Sequence, residues 1–126
     1  MTRILVVDDD ERVRTTARAL LEAAGFEVVE AESGEVALTV LTSEAVELVL
    51  TDIFMPHTDG IELIHALHRD STNLPIVAMS GGGYDGGKDV LSVARLLGAS
   101  AIVQKPLTQR KLIGIRRALA PSRDES

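Results

Sequence analysis

Five positions at the ends of apolar runs carry side chains that could do chemistry together. Asp8 and Asp9 follow the run at 4–7, Asp52 follows 48–51, Ser80 follows 75–79, and Lys105-Pro106 comes just after 101–103. Apolar runs followed by helical patterns are buried parallel strands, whose C-terminal ends gather at one edge of an open sheet. Three carboxylates brought to one edge repel at neutral pH unless a divalent cation sits among them. Magnesium takes oxygen ligands and usually keeps water and phosphate in its octahedron, so two or three carboxylates suffice. The lone ammonium of Lys105 is a flexible point charge suited to a phosphoryl oxygen, and the Ser80 hydroxyl can bond a second one. Asp52 is the candidate nucleophile, because a carboxylate attacks a phosphoryl donor in line once a metal neutralises its charge. Each residue has a plainer role available: Asp8 to Glu11 as a helix cap, Asp52 or Ser80 as a turn former, Lys105 as a solvated surface charge. The joint placement at four strand ends favours the chemical reading.

The elements that must position these residues are legible as alternating patterns. Strand one is expected over 4–7, and Asp10 caps a helix with Val13, Ala17, Leu20, Leu21 and Ala24 at helical spacing until Gly25 ends it. Residues 26–31 mix apolar and acidic positions as a half-exposed edge strand should, and Ser33 caps a second helix carrying Val36, Ala37, Val40 and Leu41. Strand three is expected over 48–51, then a loop at 55–60, then a helix with Ile61, Ile64 and Leu67 on one side. Strand four is expected over 75–79. A glycine-rich loop at 80–87 precedes a fourth helix with Val90, Leu91, Ala94 and Leu97, closed by Gly98; strand five is expected over 101–103, and Leu112, Ile115 and Leu119 mark a fifth helix. Five strand–helix alternations with right-handed crossovers give a doubly wound α/β fold, a five-stranded parallel sheet with helices on both faces.

A length of 126 residues fits one domain, and no attached effector domain is expected. A net charge of -6 without a basic stripe argues against direct nucleic-acid binding and for protein partners. With no cysteine there is no disulfide framework, zinc-thiolate site or cysteine nucleophile. No signal peptide or membrane span is recognisable, so a cytoplasmic location is expected.

The chain resembles, over essentially its full length, a response-regulator receiver domain of two-component signalling, in the CheY-like superfamily. The resemblance is carried by Ile4-Leu5-Val6-Val7-Asp8-Asp9, by Asp52 with Met55-Pro56 and Asp59-Gly60 after it, by Ser80, by Leu97-Gly98-Ala99, and by Lys105-Pro106. It implies a flavodoxin-like sheet of order 2-1-3-4-5 with five helices, a receiver spanning 1–120 and a flexible tail at 121–126. It implies Asp52 as phosphoacceptor, and magnesium held by Asp8, Asp9, Asp52 and the backbone carbonyl of Phe54. Ser80 and Lys105 would contact the phosphoryl group, and the Lys105-Pro106 peptide would be cis. The implied partners are a sensor histidine kinase or histidine phosphotransfer protein and a downstream protein. The domain would be a monomer, or a weak dimer through the fourth helix, fifth strand and fifth helix. It would not be an enzyme beyond assisting its own phosphorylation and dephosphorylation.

Two departures from the family pattern stand out. Relatives often carry an aromatic switch residue three positions before the lysine, where this chain has Ile102, and the segment between Ser80 and Lys105 is longer than is typical. Five glycines among residues 80–87 are expected to make that loop mobile, with Tyr84 available to replace part of the aromatic readout. In the family, the residues two beyond the phosphoacceptor and two beyond the hydroxyl tune phosphoryl lifetime. Here they are Phe54 and Gly82, which predicts slow self-dephosphorylation that Phe54→Asn should hasten.

Other chemistries fit less well. Gly82 to Lys88 has Walker A spacing, but Asp89 stands where a magnesium-binding hydroxyl is required, and Gly81, Gly83 and Gly86 lack the later acidic ribose partner of a dinucleotide site. An aspartyl-phosphate phosphatase would need a general acid at Phe54. A degenerate receiver used only for docking or dimerisation would not need the full acidic, hydroxyl and lysine set. His65 and His68 share a helix without an apparent third ligand, and His57 is expected to be solvated.

Overall fold

The computed structural model describes residues 2–53, 60–70, 74–81 and 98–120. Among them lie β1 (Arg3–Val7), α1 (Glu11–Ala23), β2 (Glu27–Ala31), α2 (Gly34–Ser43), β3 (Leu48–Asp52), α3 (Gly60–Asp70), β4 (Ile76–Gly81), β5 (Ala101–Lys105) and α4 (Leu112–Leu119). All strand pairs are parallel, in the order β2-β1-β3-β4-β5. Four helices are thus described where five are expected. The missing one, carrying Val90 to Leu97, lies outside the described residues, as do Phe54, His57, Tyr84, Gly82 to Gly87 and the 121–126 tail. None of the described helices is long and apolar enough to cross a membrane.

Side chains of period two feed two separate cores. Ile4, Val6, Leu48, Leu50, Val77, Met79 and Val103 pack under α1 and α4 with Ala17, Leu21, Leu112 and Ile115. Leu5, Val7, Val49, Ile76 and Ala78 pack on the other face with Ala37, Leu63, Ile64 and Leu67 of α2 and α3. Burying a side chain such as Leu50, which is fully enclosed, contributes about 2 kcal/mol. Val36, expected with the apolar positions of α2, is exposed, whereas Val40 and Leu41 pack against the core. Ile102 is half-buried against the α2–α3 core.

Local chemistry fixes the helix ends. The Asp10 carboxylate accepts from Arg12 N–H at 2.9 Å and the Ser33 hydroxyl from Val36 N–H at 3.1 Å. At the far end of α1, Gly25 takes φ +96°; its N–H donates to Glu22 O and that of Phe26 to Leu21 O, a paired cap that needs the left-handed conformation glycine supplies. Gly98 also has positive φ, at +119°.

β2 is an edge strand, as its mixed pattern predicts. Glu27 N–H and Ala31 C=O bond toward β1, so Val28 between them turns its carbonyl outward. There it accepts from Arg18 Nη2 at 3.0 Å, and the same guanidinium pairs with Glu22 and Glu30.

Candidate functional site

Strand parity brings the acidic and basic groups together. Asp8, Asp52 and Lys105 continue the side-chain series of Ile4 and Val6, of Leu48 and Leu50, and of Val103, which face the α1–α4 side. Asp8 lies one residue beyond β1, while Asp52 and Lys105 are the last residues of β3 and β5. β4 extends two residues further than its apolar run predicts, so Ser80 is inside the strand. Met79 pairs with Asp52 and Gly81 with Lys105, which sets the buried Ser80 between the registers of the two.

The Lys105 ammonium lies 2.7 Å from Asp8 Oδ2 and 3.2 Å from Asp52 Oδ2. Asp8 is fully buried; its Oδ1 accepts from Asp10 N–H at 2.9 Å, and among the described residues its Oδ2 meets only the Lys105 ammonium. Burial of Lys105 disfavours its charge and is the largest single influence on it. The hydrogen bond and charge of Asp8 and the charge of Asp52 together outweigh that, holding the ammonium above the ordinary lysine range. Asp9 is exposed, yet one carboxylate oxygen from each of Asp8, Asp9 and Asp52 lies within 4.8 Å of the others. An all-oxygen set of this kind suits magnesium, and these three carboxylates would hold it. Asp8 Oδ2, fully enclosed and met by the Lys105 ammonium, is an oxygen such a cation would share.

Around these groups the backbone is held by residues that the sequence reading missed. Arg14 Nη1 donates to the Asp8 carbonyl at 2.7 Å, and the buried Thr51 hydroxyl to the Asp52 carbonyl at 3.0 Å. Lys111 Nζ donates to the carbonyls of Gln104 and Pro106, which flank Lys105, at 2.8 and 3.1 Å. The Lys105-Pro106 peptide is cis, as the resemblance implies. A groove of about 470 Å³ opens beside the cluster, lined by Asp10, Arg12, Val13, Thr16, Lys105, Pro106 and Leu107. Among the expected site residues, Asp8, Asp9, Asp52 and Lys105 converge and Ser80 shares their sheet edge; Phe54 lies outside the described residues.

Residues 4–116 match the sequence model of the response regulator receiver domain. The chain belongs to that family. This receiver domain is 35% identical over 119 residues to the transcriptional regulatory protein CpxR of Escherichia coli K12, covering 94% of this chain and 49% of that protein. It is 36% identical over 114 residues to the CAI-1 autoinducer sensor kinase/phosphatase CqsS of Vibrio cholerae, covering 88% of this chain and 16% of that one. The chain therefore spans half or less of the length of these two relatives. The crystal structure of the receiver domain of NtrX from Brucella abortus superposes with a TM-score of 0.86 at 31% identity, covering 94% of this chain and 99% of that one. Receiver domains interact with histidine kinases or phosphotransfer proteins and typically bind magnesium at an acidic pocket. The Asp8–Asp9–Asp52 cluster of this receiver could hold such an ion.

Proposed function

We propose that this receiver accepts a phosphoryl group on Asp52 from the phosphohistidine of a sensor kinase or histidine phosphotransfer protein in the cytoplasm. In the transfer, a carboxylate oxygen of Asp52 forms a bond to phosphorus as the phosphorus–nitrogen bond breaks, and the imidazole departs with the electron pair. The domain's share of the work is positioning and electrostatics. Lys105 would turn from the two carboxylates to an oxygen of the bound phosphoryl group, and Ser80 would donate to another. Asp8, Asp9, Asp52 and the Phe54 carbonyl would hold magnesium, which offsets the charge of carboxylate and phosphoryl group alike. The groove lined by Val13, Thr16 and Pro106 offers the donor a route to the site beside α1. The receiver spans 1–120 in this reading. Phosphorylation then shifts the population between two conformations, differing on the face of β5, α4 and the segment before them, and changes protein binding or passes the group onward.

The observation that carries this reading is the half-buried ammonium set between two carboxylates at the ends of different strands, beside a third carboxylate within ligand range. Incubation with acetyl phosphate and magnesium, read by intact mass, should add one phosphoryl group. The gain should vanish with chelator and in Asp52→Ala. A protein that neither acetyl phosphate nor a cognate kinase modifies is instead a docking module.

A further inference from the structure

We infer that Arg14 is a positioning residue for the acidic pair, setting divalent-cation affinity by holding the carbonyl of the Asp8–Asp9 peptide; this rests on the magnesium reading above. The guanidinium donates to that carbonyl at 2.7 Å and to Glu30 Oε1 at 3.1 Å, linking α1, the end of β1 and β2 through one rigid planar group. Its side chain is only 14% exposed. Asp8 N–H meanwhile donates to Ala31 O at 3.1 Å, and Asp8 Oδ1 accepts from Asp10 N–H. With Oδ2 at the Lys105 ammonium, every polar group of Asp8 has a partner. Arg14 holds the one peptide plane from which both acidic side chains diverge, so its loss lets Asp8 and Asp9 move relative to Asp52.

Charge alone predicts the opposite. A guanidinium near a cation site repels the cation, and Arg14→Met should tighten magnesium binding if Coulomb forces decide. Pairing with Glu30 offsets that field, leaving the geometric effect to dominate. Arg12 supplies the control: it is 93% exposed, pairs with Asp10 and makes no bond to Asp8.

The test is calorimetric titration of magnesium into wild type, Arg14→Met, Arg14→Lys and Arg12→Met at fixed ionic strength and 25 °C, each variant first shown folded by its melting curve in chelator. Arg14→Met should raise Kd roughly 10-fold, as loss of an outer-sphere partner does. Arg14→Lys should recover part of the affinity, and Arg12→Met should bind as wild type or slightly tighter. An Arg14→Met protein with wild-type or tighter binding overturns the inference. Should Arg14→Met fail to fold, Arg14→Ala decides, and a wild-type or tighter Kd there overturns it equally. Wild type that takes up no magnesium overturns the metal reading itself, and the Arg14 role with it.

Discussion

The two ends of the parallel sheet carry the same ingredients and put them to different use. At the N-terminal end, Arg3 meets Glu27 at 3.2 Å and Glu44 at 2.9 Å, and its N–H bonds Glu47 at 3.3 Å. At the C-terminal end, Lys105 meets Asp8 and Asp52, with Asp9 beside them. Both ends hold one cation among three carboxylates. Arg3 is 34% exposed and its partners are long glutamates, so water solvates the surplus negative charge and the side chains can separate. Lys105 is 19% exposed, Asp8 is fully buried, and short aspartates cannot retreat from one another. A charge surplus becomes a binding site only where water is excluded and the side chains are too short to move away.

The contrast is broken most severely by Lys105→Met, which removes the ammonium from between two buried carboxylates. We expect a loss of about 3 kcal/mol in chelator at neutral pH, measured by urea denaturation, with magnesium restoring more of it than it adds to wild type. The pH dependence follows from the same pair. Because the folded pKa of Lys105 lies above its unfolded value, the stability it contributes is fully present below about pH 10 and is lost as the pH climbs through the folded value. The stability difference between wild type and Lys105→Met should therefore shrink as the pH rises above about 10, followed by urea denaturation at each pH.

Magnesium itself is the next largest lever. At a hundredfold excess over Kd, wild type should gain about 2.7 kcal/mol, seen as a raised melting temperature, and Asp52→Ala much less. Asp9→Asn sharpens the comparison, since Asp9 contributes negative charge and shows no ion pair among the described residues. In chelator it should stabilise by about 1 kcal/mol, while the gain from magnesium shrinks. Arg3→Ala, at the solvated end, should cost no more than about 1 kcal/mol, and that cost should fall with added salt. A salt-insensitive loss of several kcal/mol would show that the two ends do not differ as argued.

Much of this was legible in the sequence because parallel strands buried on both faces are apolar throughout and stop where chemistry begins. Asp10, Gly25 and Ser33 were readable as caps since capping depends on residue type at one position. Strand ends were less readable: β4 reaches Gly81 and β5 reaches Lys105, because ladder bonds need only backbone and continue through polar residues. Arg14, Thr51 and Lys111 left no motif, since a side chain bonding a carbonyl requires no partner residue type. One trace of Arg14 did exist. Arg14 and Arg18 stand four apart on α1, and the following strand offers Glu30 to both. The Arg3 cluster draws on β1, β2 and the stretch after α2, which only the folded register brings together.

The bond from Arg18 to the outward carbonyl of Val28 has a consequence for assembly. An open edge strand is a template onto which any extended chain, including another copy of this one, can add. Here an incoming strand must first expel a guanidinium that is also tied to two glutamates of its own chain. Self-association by sheet extension is thereby disfavoured along β2, one of the two edges of the sheet, so that strand addition to this molecule is directed to the opposite edge at β5.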